Sequence, residues 1–409
     1  MSPFFRSPET VPSMALHEAI LSSVSSVRDS LPEQHHAHFE TLRQEIIDFT
    51  KVHGIPKESL TKPAALREAT SKFSTQDLER LADLLERFEY LVKHKEPKKK
   101  EIDLKEAIEY AEAHYHLKEQ YDSQVEFLED VGILESGAIP GIDGNTYPIP
   151  TLEQIAMRLF ERRETLHTKH DQGFTKLLLV PFGMSLDSLR ETLEQFLLKY
   201  KKDHPSFDLN TDHPLFAWED YQGGDMGDFP NLVYYPQSFD LKEHQGKTKI
   251  QILKANERFP GWTVHLLQPS DPTDSHSLGF ASIPRKGEGT THGKRIPRPS
   301  LEVNKTLNEH LSTLQKSKDD PDSPYFQEFG LTPEDWILAF MIHLKETEQP
   351  MDDWTNGRES MTGLIGSFFQ SVVFVPCASW YKEGLQVDLR INGSRGRDKR
   401  IGVRSSVII

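Results

Sequence analysis

The chain has 409 residues, a length that accommodates two or three domains, and its hydrophobic fraction of 36% suffices for ordinary cores. A formal net charge of -15 argues against nonspecific phosphate binding by the chain as a whole, and no run of about 18 apolar residues offers a membrane span. The single cysteine, Cys377, excludes an intramolecular disulfide and a cysteine-rich zinc site.

The opening residues, MSPFFRSPETVPSMALHEAI, hold no basic segment followed by an apolar stretch of signal-peptide length, so a cytoplasmic location is expected. The sequons at Asn304 and Asn392 then carry no weight. Residues 13–130 read as helices. In FSTQDLERLADLLERFEYLV (73–92) a Ser/Thr cap precedes Leu78, Leu81, Leu84, Leu85, Phe88 and Leu91, whose spacing of three and four predicts one buried face. KHKEPKKK (93–100) reads as an exposed linker, and a second helix is expected from Asp103 to about Leu128.

From Gly137 the texture changes to Gly- and Pro-rich loop chemistry, GAIPGIDGNTYPIP. Thr151 then caps a helix with Glu153 in its first turn, KLLLVPF (176–182) reads as a buried strand, and a helix is expected over 185–201. Further strands are expected at 232–235, 249–253, 262–267 and 278–283. The stretch RKGEGTTHGKRIPRP (285–299) is a basic, Gly-rich loop. Helices are expected at 301–315 and 332–345, the latter with Thr332 as cap, Pro333 at the first position, and Trp336, Phe340 and Leu344 along one face.

Catalytic patterns are weak. The 287–294 stretch lacks the GxxxxGK[ST] spacing of a phosphate loop, because Arg295 follows the lysine. The histidine groups His35, His36 and His38, His114 and His116, and His167 and His170 lack the HExxH arrangement, and there is no GxSxG elbow. Cys377, in SVVFVPCASW, reads as a buried small side chain. No cofactor and no metal are expected.

The tail is more informative. From Tyr381 onward seven basic residues face three acidic ones, so this segment is +4 while the rest of the chain is about -19. Residues 371–375 read as a strand. Leu385, Val387 and Leu389 alternate with Gln386, Asp388 and Arg390, the period of a half-buried strand, and the polar stretch INGSRGRDKR (391–400) reads as an exposed loop. IGVRSSVII (401–409) closes the chain as a terminal strand.

The motifs GLTPEDWILAF, HLKETEQPMDDW, VPCASW and the ending IGVRSSVII resemble those of diversity-generating retroelement target proteins, a bacterial group whose C-terminal domain has the C-type-lectin fold shared with formylglycine-generating-enzyme-like domains. The resemblance covers about 80 residues of the tail, extends more thinly back to about Ala217, and does not reach the N-terminal helices. It implies a variable, ligand-facing set: Ser379, Tyr381, Lys382, Glu383, Gln386, Asp388, Arg390, Asn392, Ser394, Arg395, Arg397, Asp398, Lys399 and Arg400. Lys382, Glu383 and Gln386 require AAA- or AAG-type template codons. The framework set it implies is Trp380, Gly384, Leu385, Val387, Leu389, Ile401, Gly402, Val403 and Arg404. The related enzymes depend on paired cysteines, which this chain lacks, and the branch resembled lacks the calcium sites of carbohydrate lectins.

The expected fold class is therefore α+β: a helical region over 1–133, an α/β middle region over 134–300, and a C-type-lectin-like region over 301–409. The expected function is non-catalytic binding of a protein or other macromolecule through the tail. Two alternatives remain open: a nucleic-acid-binding protein using the basic tail and the 285–298 loop, and an enzyme with a site in the middle region near loops 220–228 and 262–274.

Overall fold

Side-chain caps set most helix starts, and several stand where the sequence puts them. The computed structural model describes residues 28, 31–32, 35–56, 63–71, 73–95, 102–283, 301, 303–320, 322–353 and 361–409. Two compact units divide the chain, Met1–Glu101 and Ile102–Ile409. In the first, helices α1 (His36–Val52), α2 (Pro63–Ala69) and α3 (Thr75–His94) are described. Ser74 accepts the Asp77 amide to open α3, and Leu81, Leu84, Phe88 and Leu91 pack with Phe39, Leu42, Ile46 and Phe49 of α1. Each such burial contributes roughly 1.5–3 kcal/mol. Leu78, expected on that face, is exposed instead, because it lies in the first turn, before the two helices meet.

The second unit is α+β throughout. It begins with α4 (Leu104–Tyr115) and α5 (Leu117–Asp130), where one helix was expected; His116 takes a left-handed φ of 47° and breaks it. A small hairpin, β1 (Ala138–Pro140) and β2 (Thr146–Pro148), leads to α6 (Leu152–Glu161), opened by a reciprocal Thr151–Gln154 capping box, and to α7 (Arg163–Asp171). Then come β3 (Lys176–Val180), α8 (Leu186–Asp203), β4 (Leu215–Ala217), β5 (Leu232–Tyr234), α9 (Lys249–Ala255) and β6 (Thr263–Leu267). The last part holds α10 (Leu307–Ser317), β7 (Glu328–Gly330), α11 (Pro333–Thr347), β8 (Met361–Gly363) and β9 (Ser367–Phe369). It ends with β10 (Phe374–Tyr381), β11 (Gln386–Gly393), β12 (Ile401–Gly402) and β13 (Ser405–Ile408).

Two sheets organise this unit. One runs β12-β8-β10-β11-β4, with β9 pairing β10 and β5 pairing β9; the other is the antiparallel β3-β6-β13-β7. Middle-region strands thus pair with tail strands in both sheets. The fold therefore divides at 101/102, and the boundaries expected at 133/134 and 300/301 both fall inside one unit. Helix α11 is buried almost all round, stacking Trp336 on Phe340 and Phe340 on Trp380 of β10, while the Asp335 carboxylate in its first turn meets His265 of β6.

Two expected strands are absent from the fold. Residues 249–253 form α9, because Thr248 and Gln251 make a reciprocal capping box and commit the segment to helix. Residues 278–283 form no strand; Gly279 has φ 71°, and only an isolated bridge joins Phe280 to Pro269. The terminal strand expected over 401–409 is two strands in different sheets: β12 runs parallel to β8, and β13 lies between β6 and β7.

The helix capped by Thr248 carries Lys249 into the interior. Its ammonium lies 2.6 Å from Asp225 and 2.8 Å from Glu334, and donates to the Met184 carbonyl at 2.8 Å. All three charged side chains are fully buried. Burial alone lowers the lysine's pKa, but Glu334 and Asp225 outweigh it and hold the ammonium above its ordinary value. Tyr234 donates to Glu334 (2.6 Å), and the Leu186 amide at the start of α8 donates to Asp225 (2.9 Å). Glu334 itself sits in the first turn of α11, so the amide ends of two helices face this cluster and favour its carboxylates.

Lys249→Met strands two buried carboxylates, and we expect it to destabilise the unit by about 3–5 kcal/mol in urea unfolding. Adding Asp225→Asn and Glu334→Gln should recover most of that loss; no recovery would mean that the lysine acts through packing alone. A second prediction concerns acid. Burial pushes the imidazole of His310, 1% exposed, down to about 4. A histidine held neutral in the folded chain contributes stability above its unfolded value near 6.5, and that stability drains as pH falls from there toward 4. Unfolding midpoints should drop across this window, and His310→Leu should flatten the slope by at most about 1.4 kcal/mol per pH unit.

Candidate functional site

The tail builds its polar face on an eight-pair antiparallel hairpin, from Phe374↔Gly393 to Tyr381↔Gln386. Alternation sends Ala378, Trp380, Val387 and Leu389 into the main core, each 3% exposed or less. Trp380 packs between Phe207 and Phe340. The opposite face carries Cys377, Ser379 and Tyr381 on β10 and Gln386, Asp388 and Arg390 on β11. Strand β4 lies parallel beside β11, with Phe216 opposite Asp388.

Of the ligand-facing set, Lys382, Glu383, Arg390, Arg395, Arg397, Lys399 and Arg400 are exposed, and Tyr381, Gln386, Asn392 and Asp398 are half-buried. Ser379, Asp388 and Ser394 are buried, contrary to expectation. Ser379 lies on the interior strand β10, opposite Asp388 and two residues from the buried Cys377. Asp388 is covered by its own neighbours: Gln386 donates to one oxygen at 2.8 Å and Arg390 to the other at 2.7 Å. The Arg390 guanidinium in turn lies 5.3 Å from the Phe216 ring centre and 5.8 Å from that of Tyr381. Ser394 is pinned where its carbonyl accepts the Asn308 amide.

The loop after β11 rests one edge on α10. Asn304 and Asn308 amides reach the Asp398 and Ser394 carbonyls, and Arg397 pairs with Glu309. Four tail arginines are thus paired: Arg390 with Asp388, Arg397 with Glu309, Arg400 with Asp398, and Arg404 with Asp352. Asp388 and Asp398 are already counted in the +4 surplus read from sequence; Glu309 and Asp352 lie outside the tail and offset half of it, which leaves the face cationic. The basic loop at 285–298 lies outside the described residues.

The framework set behaves unevenly. Arg404 is buried and forks onto Asp352, which also accepts Trp336 Nε1 at 2.8 Å and the Thr362 hydroxyl. Gly402 leaves no room for a side chain, since a Cβ there would meet Ile283 at 2.4 Å; at Gly384 one would meet the Tyr381 ring at 2.6 Å. Ile401 and Val403 belong to a second core cluster with Cys377, whose thiol burial pushes far up and makes unreactive. Leu385 departs from the alternation expected of it. It takes φ 52° in the turn and is half-buried, and the strand begins at Gln386. Beside that turn a cleft of about 310 Å³ opens, with Lys382 and Leu385 on one wall and Tyr200, His204 and Phe207 on the other.

Sequence reasoning missed two features. Phe216 and Trp218, both exposed, flank Arg390 on β4 and just beyond it, and periodicity cannot announce a neighbour 170 residues away. The second is a Ser–His–Asp trio: His265 lies 2.9 Å from Ser406 Oγ and 3.2 Å from Asp335 Oδ1. Its members are 0–1% exposed, so no substrate reaches the hydroxyl; the His265–Ser406 contact joins β6 to β13, and Asp335 at the start of α11 lies close by. Among the described residues no three His, Cys, Asp or Glu side chains converge to hold a metal ion, and no helix is long and apolar enough to cross a membrane. No family model, curated protein or solved structure matches the chain.

The Ser379 hydroxyl is buried with no hydrogen-bond partner among the described residues. Ser379→Ala should therefore leave stability unchanged or raise it by up to about 1 kcal/mol in urea unfolding. A loss above about 1 kcal/mol would show that the hydroxyl has a partner.

Proposed function

We propose that this chain is a non-catalytic binding protein of the kind diversified by retroelements, with a C-type-lectin-like unit that grips a protein or other macromolecule through its tail. A cytoplasmic location belongs to the same reading. The observation that carries it is the sidedness of the hairpin: Trp380, Val387 and Leu389 hold the backbone from within, while Tyr381, Lys382, Glu383 and Arg390 stand outside beside an exposed, cationic loop. A surface whose side chains contribute little to folding can change its chemistry without losing its shape. Tyrosine, arginine and asparagine supply broad contact and directed donors, as binding loops do. Phe216 and Trp218 would add fixed aromatic anchors at the margin, the residue types that dominate interface energies.

Two measurements test this. In the genome of origin, a reverse-transcriptase gene with a near-copy of the codons for 379–400, differing mainly at adenines, is expected. In a library randomised at Tyr381, Lys382, Glu383, Arg395 and Lys399, most members should keep stability within about 0.5 kcal/mol, whereas changes at Trp380, Val387 or Arg404 should unfold the unit. A library as intolerant as those framework positions would end the proposal.

A further inference from the structure

Away from the tail face, a cleft of about 570 Å³ opens between α9, the chain following β5, the end of α10, and β7. That is the size range of small-molecule sites. Its apolar surface comes from the half-buried rings of Tyr235 and Phe329, set edge to face with centres 6.0 Å apart, and from Ile252 and Ala255 of α9. Its charge comes from Lys247 and Lys318, and none of the residues lining it is Asp or Glu. In a chain with 63 acidic against 48 basic residues, a cleft lined by two lysines and no acid runs against the average. Neither lysine has an ion-pair partner among the described residues. A narrower recess of about 40 Å³ adjoins it, and the one acid there, Glu328, is already held by Lys169 and Ser405.

The walls are stiff. Lys249 anchors α9 to the buried carboxylates, which fixes Ile252 and Ala255. Phe329 is registered opposite Ser406, the member of the buried trio on β13. Tyr235 is held at φ 53°, a backbone conformation costly for a bulky residue, by its amide's bond to the Gly366 carbonyl.

We propose that this cleft binds a small aryl or heteroaryl phosphate, its ring against Tyr235 and Phe329 and its phosphate meeting Lys247 and Lys318. Aromatic faces supply sequence-blind stacking, and an ammonium is a point-charge partner for phosphate. The tail face shares no residue with this site, so the proposal stands independently of the binding role assigned there.

The test titrates phenyl phosphate and adenosine monophosphate into the full chain at low salt, followed by calorimetry or ligand-observed NMR. Saturable binding is expected for one or both, and which one binds tells a simple aryl phosphate from a nucleotide. Inorganic phosphate and adenosine should each bind at least about tenfold more weakly than the ligand that carries both groups. Lys247→Gln with Lys318→Gln should cost at least about tenfold while the melting temperature holds, since Lys247 is exposed and Lys318 only half-buried. Phe329→Leu should weaken the ring-bearing ligands and leave inorganic phosphate unaffected. Absence of saturable binding up to about 10 mM, equal affinity for inorganic phosphate, or undiminished binding by the double lysine variant would each overturn the proposal.

Discussion

The second unit is built around charges that cannot reach water. Lys249, Asp225 and Glu334 lie fully buried, the lysine within 2.8 Å of each carboxylate, and each comes from a different element: α9, the loop before β5, and α11. Removing such ions from water costs several kcal/mol apiece, and close pairing with hydrogen bonds to the facing oxygens offsets it; Asp225 Oδ1 and Glu334 Oε2 have no hydrogen-bond partner among the described residues. The arrangement is therefore permitted only when the start of α8, the start of α11, β5 and α9 all arrive together. A nonspecific collapse would bury the same apolar area and leave these groups unpaired, so the cluster selects one packing among many.

Two further buried polar groups repeat the principle at the edges of α11. Asp335 and Thr332 cap the helix reciprocally, and Asp335 also meets His265, which reaches Ser406. Asp352, just past the helix, receives Trp336, Thr362 and Arg404. Arg404 stands where the chain leaves one sheet for the other, between β12 and β13. Its fork onto Asp352 fixes that crossing to the central helix, and the tail hairpin leans on the same helix through Trp380 and Phe340. The polar face thus inherits its rigidity from charges it never touches.

Much of this was legible in the sequence wherever the signal is local. Ser74, Thr151 and Thr332 announced their helices because a cap involves residues three apart. Val387 and Leu389 announced the inward face of β11 because strand alternation has a period of two. The failures share a cause of the opposite kind. The KIQIL segment reads as a strand until its preceding threonine is counted as a cap, and nothing nearby foretells that Lys249 will find Asp225 and Glu334. Alternation marks Ser379 and Asp388 as belonging to the polar side of the hairpin. It does not say that one lies mid-sheet and the other under its own neighbours.

That last point bears on how freely the face can change. Asp388 is 1% exposed, and its carboxylate accepts from Gln386 and Arg390, the residues two before and two after it on the strand. A buried carboxylate deprived of such donors is costly, so positions 386, 388 and 390 form one coupled unit. Arg390 is correspondingly held in place, its guanidinium fixed over Phe216 and Tyr381 before any partner arrives. A donor fork ordered in advance loses less entropy on binding than a free one. Exchange at Lys382, Glu383, Arg395 or Lys399 alters the surface alone. Exchange within the 386–390 triplet must keep the charge beneath it satisfied, and this makes the strand the conservative part of the face and the turn and loop its adaptable part.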